Sequence, residues 1–145
     1  MIPAFDTDGN LPQGVHETTW DLFTDRFGRT PHRQRLVRGL EAGLAILGLA
    51  GCRRVYVDGS FVTSKLVPND YDAAWEPGGV DLLLLKSMEP VFFEFANFRA
   101  AQKAKFFGEY FPSSAKADRS GCTFWEFFQI DKNTGNPKGI IALNL

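Results

Sequence analysis

The amino-acid sequence predicts an α+β fold. Three observations carry the prediction. Helical periodicity falls in two blocks, near residues 20–50 and 82–105. Short β-branched or aromatic runs lie between and after those blocks. The resulting order is helices, strand, strand, helices and short strands, without the regular alternation of βαβ units.

Taken from the start, residues 1–18 are rich in Pro, Gly and Asp and read as an extended N-terminal arm. Thr19 caps a short helix, Trp20 to Phe27, whose Trp20, Phe23 and Phe27 recur at i, i+3 and i+7 and which Gly28 ends. Thr30 and Pro31 open a second helix running to about Ala50. Leu36, Leu40, Leu44 and Leu47 mark its buried stripe, and Gly51 stops it. Arg53 to Asp58 alternates as a strand, with Val55 and Val57 on one face. Phe61 to Lys65 reads as a helical turn or loop, Pro68-Asn69 as a turn, and Asp70 to Trp75 as a second strand. Asp81 caps a leucine helix that breaks before Pro90, and Val91 to Lys105 reads as a further helix. Phe106 to Phe111 reads as a short aromatic strand and 112–121 as a surface loop. Phe124 to Gln129 fits helix or strand, Asp131 to Lys138 a turn, and Gly139 to Leu145 a last buried strand.

With no repeat and no long linker, the 145 residues read as one domain. The composition, 44% hydrophobic and 23% charged, excludes disorder, collagen and coiled coil. Sixteen Lys and Arg against seventeen Asp and Glu leave a formal charge of −1, so nucleic acid would have to be held by a local patch. Apolar runs such as Leu82 to Leu85 fall far short of a membrane span. No secretory signal is visible, so the expectation is a cytoplasmic protein with reduced thiols at Cys52 and Cys122. Most of the fourteen phenylalanines are expected in the core.

One stretch carries chemistry. Strand residues Val57-Asp58 run into Gly59-Ser60, then Phe61-Val62-Thr63-Ser64-Lys65, and ten positions after Ser60 comes Asp70-Tyr71-Asp72. Side chains alternate along a strand, so Asp70 and Asp72 project from one face. Two carboxylates that close repel unless a cation lies between them. Hard oxygen ligands of this kind suit Mg²⁺ or Mn²⁺. Gly59 leaves room for a bound group to approach the backbone, and Ser60 adds a hydroxyl.

This arrangement resembles the signature of the nucleotidyltransferase superfamily, the DNA polymerase β-like palm: an apolar strand, Gly-Gly or Gly-Ser, then Asp-x-Asp. The superfamily motif covers only residues 53–75. The stretch D-G-S-F-V-T-S-K, the Pro-x-Asp-x-Asp and the closing P-K-G-I-I also resemble an uncharacterised family of small bacterial nucleotidyltransferase-like proteins. The resemblance implies a small mixed sheet flanked by helices. It also implies Mg²⁺-dependent transfer of a nucleotidyl group from a nucleoside triphosphate to a hydroxyl of RNA or protein. Gly59 and Ser60 would meet the triphosphate, and Asp70 and Asp72 would hold the metal. A third carboxylate would come from a later strand, Glu109 in preference to Glu126. Lys65 would take a phosphate-binding role, as would a helix lysine, Lys103. Asn69 stands where the family commonly has Ser, and Ala73-Ala74 where it has a large aliphatic residue. By analogy, small transferases of this sort serve as toxins in toxin–antitoxin or phage-defence pairs, which implies an antitoxin-type partner protein. The alternative is a catalytically inactive module of the same fold: an antitoxin, immunity protein or nucleotide sensor. A structural phage protein is a third, more distant reading.

Blander readings stand beside these. Asp-x-Asp in a turn-rich region is often a cap, and it also occurs in nucleotide-sugar glycosyltransferases, where Gly-Ser has no explanation. Arg33, Arg35 and Arg38 read as a solvated helix face rather than a phosphate groove. Arg99 and Lys103 share a helix face, in reach of a triphosphate or merely solvated. His16 and His32 have no partner at ligand spacing. Asp58 either orients the Gly-Ser bend or adds a further acid. Phe124-Trp125 and Phe127-Phe128 read as core rather than as a base-stacking surface.

Overall fold

The computed structural model describes residues 1–145 as an α+β domain built on one five-stranded mixed sheet. The strands are β1 (Gly14–Thr18), β2 (Arg54–Asp58), β3 (Tyr71–Trp75), β4 (Gly108–Pro112) and β5 (Gly139–Asn144), in the order β1-β5-β2-β3-β4. β5 and β3 each run antiparallel to the central β2, while β1 pairs parallel with β5 and β4 parallel with β3. The helices are α1 (Trp20–Phe27), α2 (Pro31–Leu49), α3 (Leu82–Met88), α4 (Ala96–Phe106) and the single turn α5 (Phe124–Phe127).

Alternation assigns the two sheet faces different work. Val55, Val57, Tyr71, Ala73, Trp75, Tyr110, Ile141 and Leu143 point to one face. There they join Leu36, Leu40, Leu44 and Leu47 of α2, Phe23 and Phe27 of α1, and Phe92 and Phe106 in a core of 22 buried residues. The other face carries a smaller cluster of six: Tyr56, Ala74, Phe111, Phe128, Ile140 and Ala142. Side chains one step further along the same strands are acidic.

Four of the five helices begin at a cap that the sequence supplies. Thr19, Thr30, Asp81 and Thr123 accept hydrogen bonds from Leu22, Arg33, Leu84 and Glu126 amides, satisfying donors that the first turn leaves free. α2 packs so closely that a Cβ at Gly39 would lie 2.0 Å from the Phe106 carbonyl, and one at Gly43 2.1 Å from the Tyr110 hydroxyl. α4 guards the outer strand: buried Gln102 accepts the Tyr110 amide through Oε1 at 2.7 Å.

The structure departs from sequence expectation at four places and decides a fifth that the sequence left open. Residues 14–18 are not part of a free arm but form β1 on the sheet edge. The helix expected over 91–105 is a 3₁₀ turn, Pro90–Phe93, followed by α4. Within α4, Asn97, Phe98 and Arg99 take left-handed φ of 53°, 55° and 60°. Phe124–Phe127 settles as helix because Thr123 and Glu126 form a reciprocal capping box. Arg33 does not lie on a solvated helix face: it is 8% exposed, and its guanidinium donates to the carbonyls of Phe27, Phe61, Thr63 and Lys65. The segment after the Gly-Ser bend folds back over α2 and supplies three of those acceptors, and the end of α1 the fourth, whereas Arg35 and Arg38 are exposed. No helix is long and apolar enough to cross a membrane.

Candidate functional site

Four carboxylates share the second sheet face. Asp58 ends β2 directly opposite Asp72 of β3, and Asp72 lies in register with Glu109 of β4. Asp70 precedes β3, two positions before Asp72 and on the same side. A single row of acids thus crosses three strands, with Asp70 beside it.

Cations pair with the two ends of the row and not with its middle. Lys138, at the entrance to β5, donates to Asp58 at 2.7 Å. Arg99 and Lys103 of α4 hold the two oxygens of Glu109 at 2.7 and 3.1 Å. Asp70 and Asp72 take part in no ion pair and accept no side-chain hydrogen bond. Their protonation reflects this. Burial, then the charges of Asp58, Glu109 and Asp70, push Asp72 up to about 7. Burial and Glu109 raise Asp70, against the opposing pull of Lys103, Lys132 and Lys65. Asp58 is also raised, because burial outweighs its contact with Lys138.

Gly59 links the bend to the row. Its φ of 87° lies in the region that favours glycine, and a Cβ there would come within 2.9 Å of Asp72 Oδ2. Ser60 starts a 3₁₀ turn, Ser60–Val62, and its hydroxyl bonds no other group of the chain. The Arg33 clamp holds the following loop, and His32 Nε2 contacts the Pro68 carbonyl at 2.5 Å, two residues before Asp70. The first turn of α2 therefore grips both ends of the segment that joins Gly59-Ser60 to Asp70.

Of the residues singled out by sequence, Gly59, Asp70, Asp72 and Glu109 lie together, and Lys103 reaches them through Glu109. Lys65 is exposed on the loop, near enough for its charge to act on Asp70. Glu126 is spent on the α5 cap and takes no part in the row. Asp58 is a fourth acid in line with Asp72. Sequence reasoning gave no role to Lys138 or Lys132. Lys138 lies 80 positions from Asp58, and only the sheet brings the two together. The P-K-G preceding the last strand was the one available signal.

The oxygen donors suit a hard divalent cation. No three acidic, histidine or cysteine side chains converge as a ready ligand set. Mg²⁺ asks for less: it is commonly held by one or two carboxylates together with substrate phosphates. Asp70 and Asp72, free of other partners and facing one way, meet that requirement. A mostly apolar cleft lined by Trp20, Leu44, Ala45 and Leu143 opens near the opposite end of β5, away from the acids.

A family model described as a family of unknown function, DUF6932, matches residues 3–144. No curated protein and no solved structure matches the chain.

Proposed function

We propose, for a chain that belongs to this family of unknown function, a Mg²⁺-dependent nucleotidyltransferase that moves a nucleotidyl group from a nucleoside triphosphate to a hydroxyl of RNA or protein. One observation carries the reading: the unpaired carboxylate of Asp72, with unpaired Asp70 close enough for its charge to act on it, lies against the Gly59 bend between two paired acids. Bringing like charges together raises their energy, and a site that does so without a cation of its own is suited to receive one with its ligand. Bound between Asp70 and Asp72, Mg²⁺ (or Mn²⁺) would offset phosphate charge and activate the attacking hydroxyl.

The chain's own groups divide the remaining work. Gly59 lets the triphosphate come close to the backbone, and the free hydroxyl of Ser60 donates to a phosphate oxygen. Lys65 and Lys103 add positive charge on the loop and helix sides. Glu109 stands beside Asp72 as the third acid. Such transfer depends on positioning and electrostatics and needs no covalent nucleophile.

A second reading is favoured by Glu109 itself, which already has two cationic partners. A site kept in that state binds nucleotide without turning it over, as a sensor or an antitoxin-type module would.

The test is binding first and transfer second. Calorimetry with Mg²⁺ and each triphosphate is expected to give binding that disappears in Asp70→Ala and Asp72→Ala while circular dichroism stays native-like and unfolding stays cooperative. A folded double variant with wild-type nucleotide affinity overturns the site. Incubation with labelled triphosphates and total RNA or lysate then separates the two readings, since only a transferase leaves a labelled product.

A further inference from the structure

Beside the acids, on the same sheet face, lies an aromatic stack. Phe111 follows Glu109 by two positions on β4 and so points the same way, roughly 7 Å further along the strand. Phe124 lies flat against it, 4.0 Å between ring centres at 14°, and Phe95 adds a nearly parallel ring at 6.4 Å and 15°. Phe111 is buried, but Phe95 is 43% exposed and lies at the end of the stack. Arg99, which grips Glu109, also sits 5.3 Å over Phe111 and so joins the acids to the stack. Its position depends on the left-handed turn Asn97–Arg99, a backbone that L residues rarely adopt and that tends to persist at working sites.

We infer that Phe95 is the base-binding residue of this site: the nucleobase stacks on its exposed ring while the phosphates lie at Gly59, Asp70 and Asp72. The inference rests on the nucleotide reading and extends it. The stack adjoins the acids: Phe111 lies one strand repeat from Glu109, and Phe95 is one ring further out, at 6.4 Å. The chemistry suits a base more than an aliphatic group, since the rings present parallel π-faces edged by a guanidinium. Stacking accepts any base, so the site would discriminate weakly among the four triphosphates.

The test compares ligands with and without a base. Dissociation constants are measured by calorimetry with Mg²⁺ for ATP, GTP, CTP and UTP and for inorganic tripolyphosphate, on wild type, Phe95→Ala and Phe95→Trp. Phe95→Ala is expected to weaken triphosphate binding by roughly 5- to 100-fold, the range typical of one lost stacking contact. Tripolyphosphate binding stays within twofold, and Phe95→Trp restores nucleotide affinity. Three results overturn the inference alone: wild type binding tripolyphosphate as tightly as nucleotides, Phe95→Ala leaving nucleotide affinity intact, or Phe95→Ala weakening both ligands equally. Wild type that binds neither ligand removes the nucleotide reading as well.

Discussion

At Gly59, two demands meet in one residue. Its backbone turns with φ of 87°, and its missing side chain keeps Asp72 Oδ2 from a contact of 2.9 Å. Gly59→Ala therefore strains the bend and displaces the carboxylate together. The expected cost is about 1–2 kcal/mol of stability in urea denaturation, with loss of Mg²⁺-dependent nucleotide binding. Wild-type binding by a stable Gly59→Ala protein would show that the bend does not adjoin the ligand. Asp72 can be tested through its proton. Its carboxyl, near 7 when folded and near 4 when unfolded, binds protons more tightly in the folded state. The contribution to stability is therefore full below pH 4 and is lost as pH rises towards 7, by an amount on the order of 4 kcal/mol. Asp72→Asn is expected to raise the melting temperature at pH 8 and to leave it nearly unchanged at pH 4. Equal shifts at both pH values would contradict the raised carboxyl.

Elements explain which parts of the site could be read beforehand. Asp70 and Asp72 are two apart where the chain enters β3, so an expected strand from Asp70 to Trp75 already places them together, and Gly59 declares itself by residue type. Glu109 was distinguishable from Glu126 only weakly, because both sit among phenylalanines; the Thr123 capping box decided Glu126's role. Arg33 could not be recognised, since three of its four acceptors are carbonyls about thirty positions away that a helical wheel does not contain. β1 was hidden for a related reason: five residues, none of them fully buried, gain strand structure only by pairing with β5, 125 positions on. The clamp gives a prediction at this scale. Arg33→Met leaves four carbonyls without their donor, and about 3 kcal/mol of stability should go with it, read from the urea midpoint. A loss below 1 kcal/mol would mean that the loop holds its shape unaided. Gly39 supplies a contrary case. Alanine there should help an isolated helix by about 1 kcal/mol, yet its Cβ would meet the Phe106 backbone at 2.0 Å. Gly39→Ala is expected to lower the melting temperature of the whole protein, and an increase would show that α2 does not pack so closely against that segment.

Across the whole molecule, sequence patterning was enough for the α+β class and for the leucine stripe of α2, because both follow from local periodicity. Strand order and the ring of cations around the acids were not legible, because they arise from contacts distant in sequence. Three acids are raised by burial in one patch: Asp58, Asp70 and Asp72. All three act in the same direction, so stability should decline from weakly acid to neutral pH. Glu17 and Asp131, whose carboxyls are lowered by hydrogen bonds, act the other way. Millimolar Mg²⁺ with nucleotide is expected to restore the melting temperature at pH 8 more than at pH 5, because the ligand favours the ionised acids. A shift of the same size at both pH values would place the metal elsewhere.

The alternation of β3 carries a consequence for redesign. Tyr71, Ala73 and Trp75 hold the interior together, while Asp70 and Asp72, threaded between them, contribute nothing to that cohesion. Cohesion and reactivity are thus written on separate sides of a single ribbon. A designer could erase the acidic lettering, or recast it for another ion, and leave the hidden side unedited.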